Sequence, residues 1–213
     1  MNSDQFSTLI DKTPFLIFDL DGTLVDSSAS VRRAWRDFAA RHQVPEADIF
    51  AISEGRQGHA VISELRPDLD AMAEDRLLID FQTRDASDVV EVPGASDLLG
   101  DLDPQRWGIV TSCTKRLAMA RLTAAQLPIP PLFITADDTL HSKPHPEGFQ
   151  MAMRLADKDP SECVVFEDSK AGIEAAINAG IQVVQITHAS HAYVDTQIPS
   201  VPDWSKYRKR NAA

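Results

Sequence analysis

Short apolar segments recur along the chain and predict the strands of a buried sheet. Each segment is rich in β-branched or aromatic residues, and none alternates strictly between apolar and polar positions. Strands covered on both faces show this pattern, because neither face of such a sheet meets water. The segments occupy residues 15–18, 107–111, 132–135, 163–166 and 181–186.

Helical spacing of apolar residues fills the intervals between the later segments, at 115–127, 146–156 and 170–179. Pro146 suits the first turn of a helix, and Gly180 is a common stop signal. In 115–127 the apolar rhythm also takes in Arg121. Alternation of strand and helix predicts an α/β fold with a doubly wound, mostly parallel sheet and helices on both faces.

Residues 27–92 break that alternation, because their pattern is helical and contains no clear strand. Helical spacing covers 31–42, 58–65 and 69–83, and Gly55 and Pro67 divide the region. The alternating pattern returns after Pro93 and Gly94. We predict an inserted helical cap domain at 27–90 above the end of the first strand, with a core domain of 1–26 and 91–213.

The C-terminal region from residue 188 has a weaker pattern. We interpret 188–191 as a loop, 193–198 as an edge strand and the remainder as a tail. The basic segment 206–210 is expected to be part of that solvated tail.

The composition is that of a folded globular protein, with 43% hydrophobic and 25% charged residues among 213. The net charge of -11 argues against nucleic-acid binding, which relies on Lys and Arg. Two cysteines make no disulfide framework and favour a reducing compartment. The first twelve residues do not form a signal peptide, and no apolar run approaches the roughly 18 residues of a membrane span. We therefore expect a soluble, cytoplasmic monomer without membrane or nucleic-acid partners.

Polar residues follow the predicted strands at their carboxyl ends, where open parallel sheets hold their sites. A lysine precedes one of the helices and joins this set. The candidate residues are Asp19, Asp21, Gly22, Thr23, Thr111, Ser112, Lys143, Glu167 and Asp168.

Four carboxylates that converge on one edge repel each other, so a cation is expected to compensate them. Oxygen ligands select Mg²⁺, which keeps open positions for water and a substrate phosphate. Lys143 adds positive charge for the same phosphate, and Thr111 or Ser112 supplies a hydroxyl donor. Backbone N–H groups in the turn of Asp21, Gly22 and Thr23 can add further donors.

These residues occur in motifs that resemble those of the haloacid dehalogenase superfamily. Phe18-Asp-Leu-Asp-Gly-Thr-Leu24 resembles the first motif, Val110-Thr-Ser112 the second, Lys143-Pro144 the third and Glu167-Asp168 the fourth. The helical insertion and Phe166-Glu-Asp-Ser-Lys-Ala-Gly-Ile173 resemble the β-phosphoglucomutase-like branch. The chain as a whole looks most similar to small sugar-phosphate and polyol-phosphate phosphatases of that branch, which implies a Rossmann-like core with a cap.

The resemblance implies a role for each motif residue. Asp19 would be the nucleophile and form an aspartyl-phosphate, and Asp21 would protonate the leaving oxygen and then activate water. Asp21 also favours phosphoryl transfer, because dehalogenases of the superfamily lack an aspartate at this place. Mg²⁺ would bind the Asp19 and Asp168 side chains and the Asp21 carbonyl, with Glu167 acting through water. The residues that would hold the phosphate are Thr111, Ser112 and Lys143, and which hydroxyl is primary stays open.

The turn at 54–59 in the insertion is the expected specificity loop. Arg56 and His59 could bind sugar hydroxyls or a second charge; alternatively, Arg56 is solvated and His59 caps a helix. His141 and His145 are expected at the surface or behind the site, and Cys113 is interpreted as a small loop residue. The pair Asp137-Asp138 either orients Lys143 or forms a turn. Trp35 is expected to pack in a core.

The sequence is compatible with three functions. The first is a phosphatase whose partner is a small phosphate ester of a sugar or polyol. The second is a sugar phosphomutase that would use the same intermediate but return the phosphate to a bisphosphate. The third is a non-catalytic protein that binds a phospholigand, against which the full set of carboxylates and Lys143 argues.

Overall fold

The computed structural model describes residues 1–53, 56–188 and 194–208. Four features predicted from sequence fall wholly or partly outside these ranges. They are the break at Gly55 with the adjoining part of the 54–59 turn, the loop after residue 188, the start of the 193–198 segment, and the last two residues of the 206–210 segment.

Six parallel strands form the main sheet, and the apolar segments predict five of them. The strands of the described chain are β1 (Phe15–Phe18), β2 (Val25–Asp26), β3 (Val90–Glu91), β4 (Trp107–Val110), β5 (Leu132–Ile134), β6 (Cys163–Glu167), β7 (Gln182–Ile186) and β8 (Ser200–Val201). Their order in the main sheet is β5-β4-β1-β6-β7-β8, and all neighbours are parallel. β1 therefore lies inside the sheet, which is why its four residues are all buried.

Helices pack on both faces of this sheet and in the region between β2 and β3. They are α1 (Ser3–Lys12), α2 (Ser28–His42), α3 (Glu46–Ile52), α4 (Gly58–Leu65), α5 (Ala71–Arg84), α6 (Ala95–Asp101), α7 (Lys115–Ala124), α8 (Glu147–Ala156) and α9 (Lys170–Asn178). The sequence pattern missed α1, α3 and α6. Two of these have only seven residues, and α1 has only three apolar residues among ten, with a capping box between Asn2 and Gln5 as its clearest signal.

The pleat of the strands divides the core into two layers. In β1, Leu16 and Phe18 face a layer covered by α1, α6 and α7, while Phe15 and Ile17 face a layer covered by α8 and α9. Successive side chains of a strand point to opposite faces, so a four-residue apolar run serves both layers. This explains the absence of apolar-polar alternation in the sequence.

The C-terminal segment is not a tail within the described residues. Residues 194–198 form no strand; instead β8 pairs with β7 at the edge of the sheet. Trp204 is fully buried, its Nε1 donates to the carbonyl of Thr23 at 2.8 Å, and its ring packs on Phe6. Arg208 donates its backbone N–H to the Ser7 hydroxyl at 3.0 Å. The prediction of a solvated tail is wrong here because a buried tryptophan anchors the segment to the core.

Helices α2 to α5 surround an apolar cluster of their own. Trp35 is buried in it and meets Phe38 edge to face at 5.6 Å, which confirms its interpretation as a packing residue. β2 and β3 pair antiparallel where the chain enters and leaves this region. The expectation that 27–92 contains no strand is therefore wrong at Val90–Glu91, since two residues are too short to show a period.

No helix in the described ranges combines the length and the apolar character that crossing a membrane requires.

Candidate active site

The pairing of β1 with β6 places the first and fourth motifs side by side. Phe18 is in register with Phe166, and the N–H of Asp19 continues the ladder by donating to the Phe166 carbonyl at 2.9 Å. Asp19 and Glu167 are therefore neighbours at the carboxyl edge of the sheet. Strand pairing by itself brings these two carboxylates together, as their positions after apolar segments predict.

Lys143 lies between these carboxylates. Its Nζ is 2.5 Å from Asp19 Oδ1 and 2.7 Å from Glu167 Oε1. The exposed fractions of the side chains are 8% for Lys143, 9% for Asp19 and 1% for Glu167. Both ion pairs are thus shielded from water, where charge interactions are strong and unpaired charges are costly.

Positive charge is nevertheless scarce at this edge. Burial, reinforced by Glu167 and Asp21 and opposed by Lys143, raises the pKa of Asp19 to about 8. Burial and the neighbouring Glu167 also raise the pKa of Asp168 well above its usual value. The Lys143 ammonium does not balance Asp19, Glu167 and Asp168, so the site favours an additional cation.

The donor set fits a hard divalent cation such as Mg²⁺. Asp19, Glu167 and Asp168 each offer a carboxylate oxygen, and these atoms lie within 4.8 Å of one another. Gly22, at φ +79°, leaves room for them, because a Cβ there would lie 1.9 Å from Asp168 Oδ2. Carboxylate oxygens are the ligands that Mg²⁺ prefers.

Gly172 is a second glycine that leaves room for a motif side chain, that of Glu167. The Glu167 carboxylate accepts the backbone N–H of Ser169 at 2.6 Å, which holds it against the first turn of α9. Gly172 lies in that turn, and a Cβ on Gly172 would come within 1.7 Å of Glu167 Oε1. The side chain of residue 172 must therefore be absent for Glu167 to reach Lys143.

Gly172→Ala should consequently destabilise the protein by about 1–3 kcal/mol, the usual cost of overpacking, even though alanine normally favours a helix. Gly100→Ala in α6 is the matched control, because outside the adjoining backbone of α6 no described atom lies within 4 Å of a Cβ at this position. The control should be neutral or stabilising by up to about 1 kcal/mol. Urea unfolding of both variants measures this, and equal effects of the two substitutions would contradict the close contact at Glu167.

Asp21 is surrounded by three donors from different parts of the chain. Ser27 Oγ donates to Oδ1 at 2.6 Å, and Arg121 Nη1 and Cys113 Sγ donate to Oδ2 at 2.5 and 3.0 Å. Sequence reasoning assigned none of these three to the site. A signal was present for Arg121, since a charged residue shares the apolar rhythm of its helix. Cys113 is a contact of Asp21 as well as a loop residue, and burial raises the pKa of its thiol above the usual range.

The predicted phosphate ligands line a pocket with an empty volume of about 320 Å³. Thr111, Ser112 and Lys143 all contribute to it. Gly22 and Thr23 lie in the loop after β1, where the Gly22 N–H donates to the Val25 carbonyl at 2.8 Å and the Thr23 side chain is buried. In this arrangement the Gly22 N–H is occupied.

The structure does not place Arg56 and His59 at this pocket. Arg56 donates to Glu64 at 2.9 Å, and His59 Nδ1 lies 3.5 Å from Asp75 Oδ2, so both have partners within the helical region. Gln57, which lies between them in the chain, lines the pocket. Within the described part of the turn, the residue that lines the pocket is therefore one that the sequence pattern did not single out.

The histidines beside Lys143 belong to a loop held together by Glu147. This carboxylate accepts the backbone N–H groups of Leu140 and His141 and lies 2.8 Å from His141 Nδ1. These bonds lower the pKa of Glu147 to about 2. His141 and His145 stack on each other and line the pocket. Their ring nitrogens and Glu147 lie within 4.8 Å of one another, but the carboxylate is already engaged by the loop.

The acidic pair before Lys143 serves local structure. Asp137 accepts the backbone N–H of Lys115 at 2.9 Å, and Asp138 accepts both the N–H and the hydroxyl of Thr135. The turn interpretation of this pair is confirmed.

Comparison with known proteins shows which family the chain resembles. A family profile described as haloacid dehalogenase-like hydrolase matches residues 16–186. Hexitol phosphatase A of Escherichia coli (strain K12) is 35% identical over 175 residues, which cover 80% of this chain and 81% of that protein. Glycerol-1-phosphate phosphohydrolase 1 of Saccharomyces cerevisiae is 32% identical over 182 residues, with 80% and 73% covered. A hydrolase from Pseudomonas syringae, known from its crystal structure, is 28% identical, covers 81% and 83%, and superposes with a TM-score of 0.71.

Proposed function

The chain belongs to the haloacid dehalogenase-like hydrolase family, and we propose that it is a phosphatase for small phosphorylated sugars or polyols that acts through an aspartyl-phosphate on Asp19. The observation that carries this proposal is the Asp19 carboxylate, which is buried at a strand end and held by Lys143 at 2.5 Å. The substrate class is supported by the relatives, a hexitol phosphatase and a glycerol-1-phosphate phosphohydrolase.

The reaction divides into two steps between two carboxylates. In the first, an Asp19 oxygen bonds to phosphorus, the ester P–O bond breaks, and Asp21 gives its proton to the leaving alkoxide. In the second, Asp21 takes a proton from water, whose oxygen attacks the aspartyl-phosphate and releases inorganic phosphate and the Asp19 carboxylate. The two residues are then back in their initial states.

The phosphate would be held by groups that border the pocket. Lys143 is a positive point charge beside Asp19, and Thr111 and Ser112 supply hydroxyl donors. A bound Mg²⁺ would neutralise charge on the phosphate and the carboxylates. Its ligands would be the Asp19 and Asp168 side chains and the Asp21 carbonyl, with Glu167 acting through water.

We also propose that 27–90 is a cap domain on a core of 1–26 and 91–213. The cap would exclude bulk water during phosphoryl transfer to Asp19 and contact the carbon skeleton of the substrate. Gln57 already lines the pocket. Arg56 and His59 stay proposed specificity residues, and each would have to exchange its partner, Glu64 or Asp75, for substrate hydroxyls.

A substrate screen tests the function. With Mg²⁺ present, phosphate should be released from glycerol 1-phosphate or hexitol phosphates without any added sugar bisphosphate, and a chelator should abolish the release. Nucleotide phosphates are the control class and should be poor substrates. Turnover that needs a sugar bisphosphate would indicate a phosphomutase, and activity that survives complete removal of divalent metal would refute the mechanism.

A further inference from the structure

Arg121 is a buried arginine at the contact between α7 of the core and α5 of the helical insertion. Its side chain is 4% exposed. A guanidinium keeps its charge in any environment and is costly to bury unless it is paired. Its position therefore requires a partner of opposite charge, and that partner is the ionised carboxylate of Asp21, the form in which the proposed mechanism has this residue take a proton from water.

The two terminal nitrogens of Arg121 bind in different directions. Nη1 is 2.5 Å from Asp21 Oδ2 and 2.8 Å from Cys113 Sγ, whereas Nη2 donates to Gln82 Oε1 at 2.6 Å. Gln82 belongs to α5, so one planar group connects the Asp21 carboxylate with the insertion. A lysine ammonium could not reproduce this fork, because it carries its donors on a single atom.

A hydrogen bond to the other carboxylate oxygen also restrains Asp21. Ser27 donates to Oδ1 at 2.6 Å while Arg121 and Cys113 donate to Oδ2, so rotation of the carboxyl group breaks bonds on both sides. General acid catalysis depends on the distance between the carboxyl group and the leaving oxygen. A restraint of this kind is what such a residue needs.

We propose that Arg121 is a positioning residue: it orients Asp21 for proton transfer, and it makes that orientation depend on the docking of the insertion through Gln82. The proposal rests on the proposed function. When the insertion moves away, Arg121 loses the Gln82 amide and the carboxylate loses part of its support. Proton transfer would then proceed only when the insertion is docked over the substrate.

Leaving-group dependence tests this role. An alkoxide must be protonated as it leaves, whereas p-nitrophenolate is a weak base that leaves with little help. Arg121→Met should therefore lower kcat/KM for glycerol 1-phosphate by about 100-fold but for p-nitrophenyl phosphate by less than about threefold, given the usual size of general acid catalysis. Gln82→Leu should give the same selectivity with a smaller loss of about tenfold. Arg121→Lys should fall between the natural chain and Arg121→Met.

Arg116→Met is the matched control. Arg116 also lies on α7 and pairs with Asp80 of α5, but it is exposed and is separate from Asp21. Its loss weakens the same helix contact and should leave the ratio of the two kcat/KM values unchanged.

The outcomes distinguish a failure of the role inferred for Arg121 from a failure of the proposed function. Asp21→Asn must lower the alkyl-to-aryl ratio; if it does not, the proposed role of Asp21 is wrong. If Asp21→Asn lowers the ratio but folded Arg121→Met slows both esters equally or neither, Arg121 is structural only. An unchanged ratio in Gln82→Leu would overturn the coupling to the insertion, and this variant keeps the test decisive even if Arg121→Met fails to fold.

Discussion

Asp19→Asn is expected to abolish phosphate release, with kcat/KM lowered on the order of 10⁴-fold or more, as for the loss of other nucleophiles. A carboxamide is a poor nucleophile and cannot form the aspartyl-phosphate. Its oxygen can still accept the bond from Lys143, so the substitution changes the chemistry with little change in shape. The measurement is steady-state hydrolysis, together with mass spectrometry of acid-quenched protein to detect the phosphoenzyme in the natural chain.

Stability provides the control for this variant. A buried acid whose pKa is raised to about 8 costs stability wherever the unfolded chain would be ionised, which includes neutral pH. Asparagine does not ionise in either state, so the melting temperature without Mg²⁺ should be unchanged or higher, and Mg²⁺ should raise it less than in the natural chain. Hydrolysis within about tenfold of the natural rate would refute Asp19 as the nucleophile, given what a nucleophile contributes.

Lys143→Met is expected to impair both stability and activity. In the described structure, Lys143 is the cation that contacts both Asp19 and Glu167. Removing one partner of a buried pair costs about 3–5 kcal/mol, so unfolding in the absence of Mg²⁺ should become easier by that amount. Loss of a preorganised positive group at the phosphate should lower kcat by about 10²- to 10³-fold.

Two further measurements accompany Lys143→Met: the effect of added Mg²⁺ and the effect of substituting a second lysine. Added Mg²⁺ should restore part of the lost stability, because it also neutralises the carboxylates, but it should not restore the rate. Lys170→Met is the matched control: Lys170 is exposed and lies 3.8 Å from Glu174, so its loss should cost less than about 0.5 kcal/mol. Equal effects of the two substitutions would mean that burial does not strengthen the Lys143 pairs.

Much of the sheet and its carboxyl edge could be predicted, because the signals are local. The apolar run at 15–18 and the acidic residues after it are contiguous, and parallel strands must bring their ends together. Asp19, Lys143 and Glu167 meet as those positions predict. Short elements were missed where too few residues exist to show a period, as in β3.

The contacts around the motifs could not be predicted from local patterns. The apolar period of α7 indicates that Arg121 faces inward, but not that its guanidinium meets a carboxylate 100 positions earlier. Similarly, a glycine in the first turn of α9 resembles a weak helix position until the contact with Glu167 is known.

The sequence alone therefore determined the α/β alternation and the positions of the motif residues, and it predicted an excess of negative charge at one edge of the sheet. Each of these depends on neighbouring residues or on composition, so none of them depends on the conformation of the loops. The tertiary structure decided which groups hold Asp21, that Gln57 from the described part of the 54–59 turn reaches the pocket, and that Trp204 anchors the C-terminal segment. These depend on side chains from distant segments meeting in one place, and hydrophobic periodicity specifies the face of a helix or strand but not its partner.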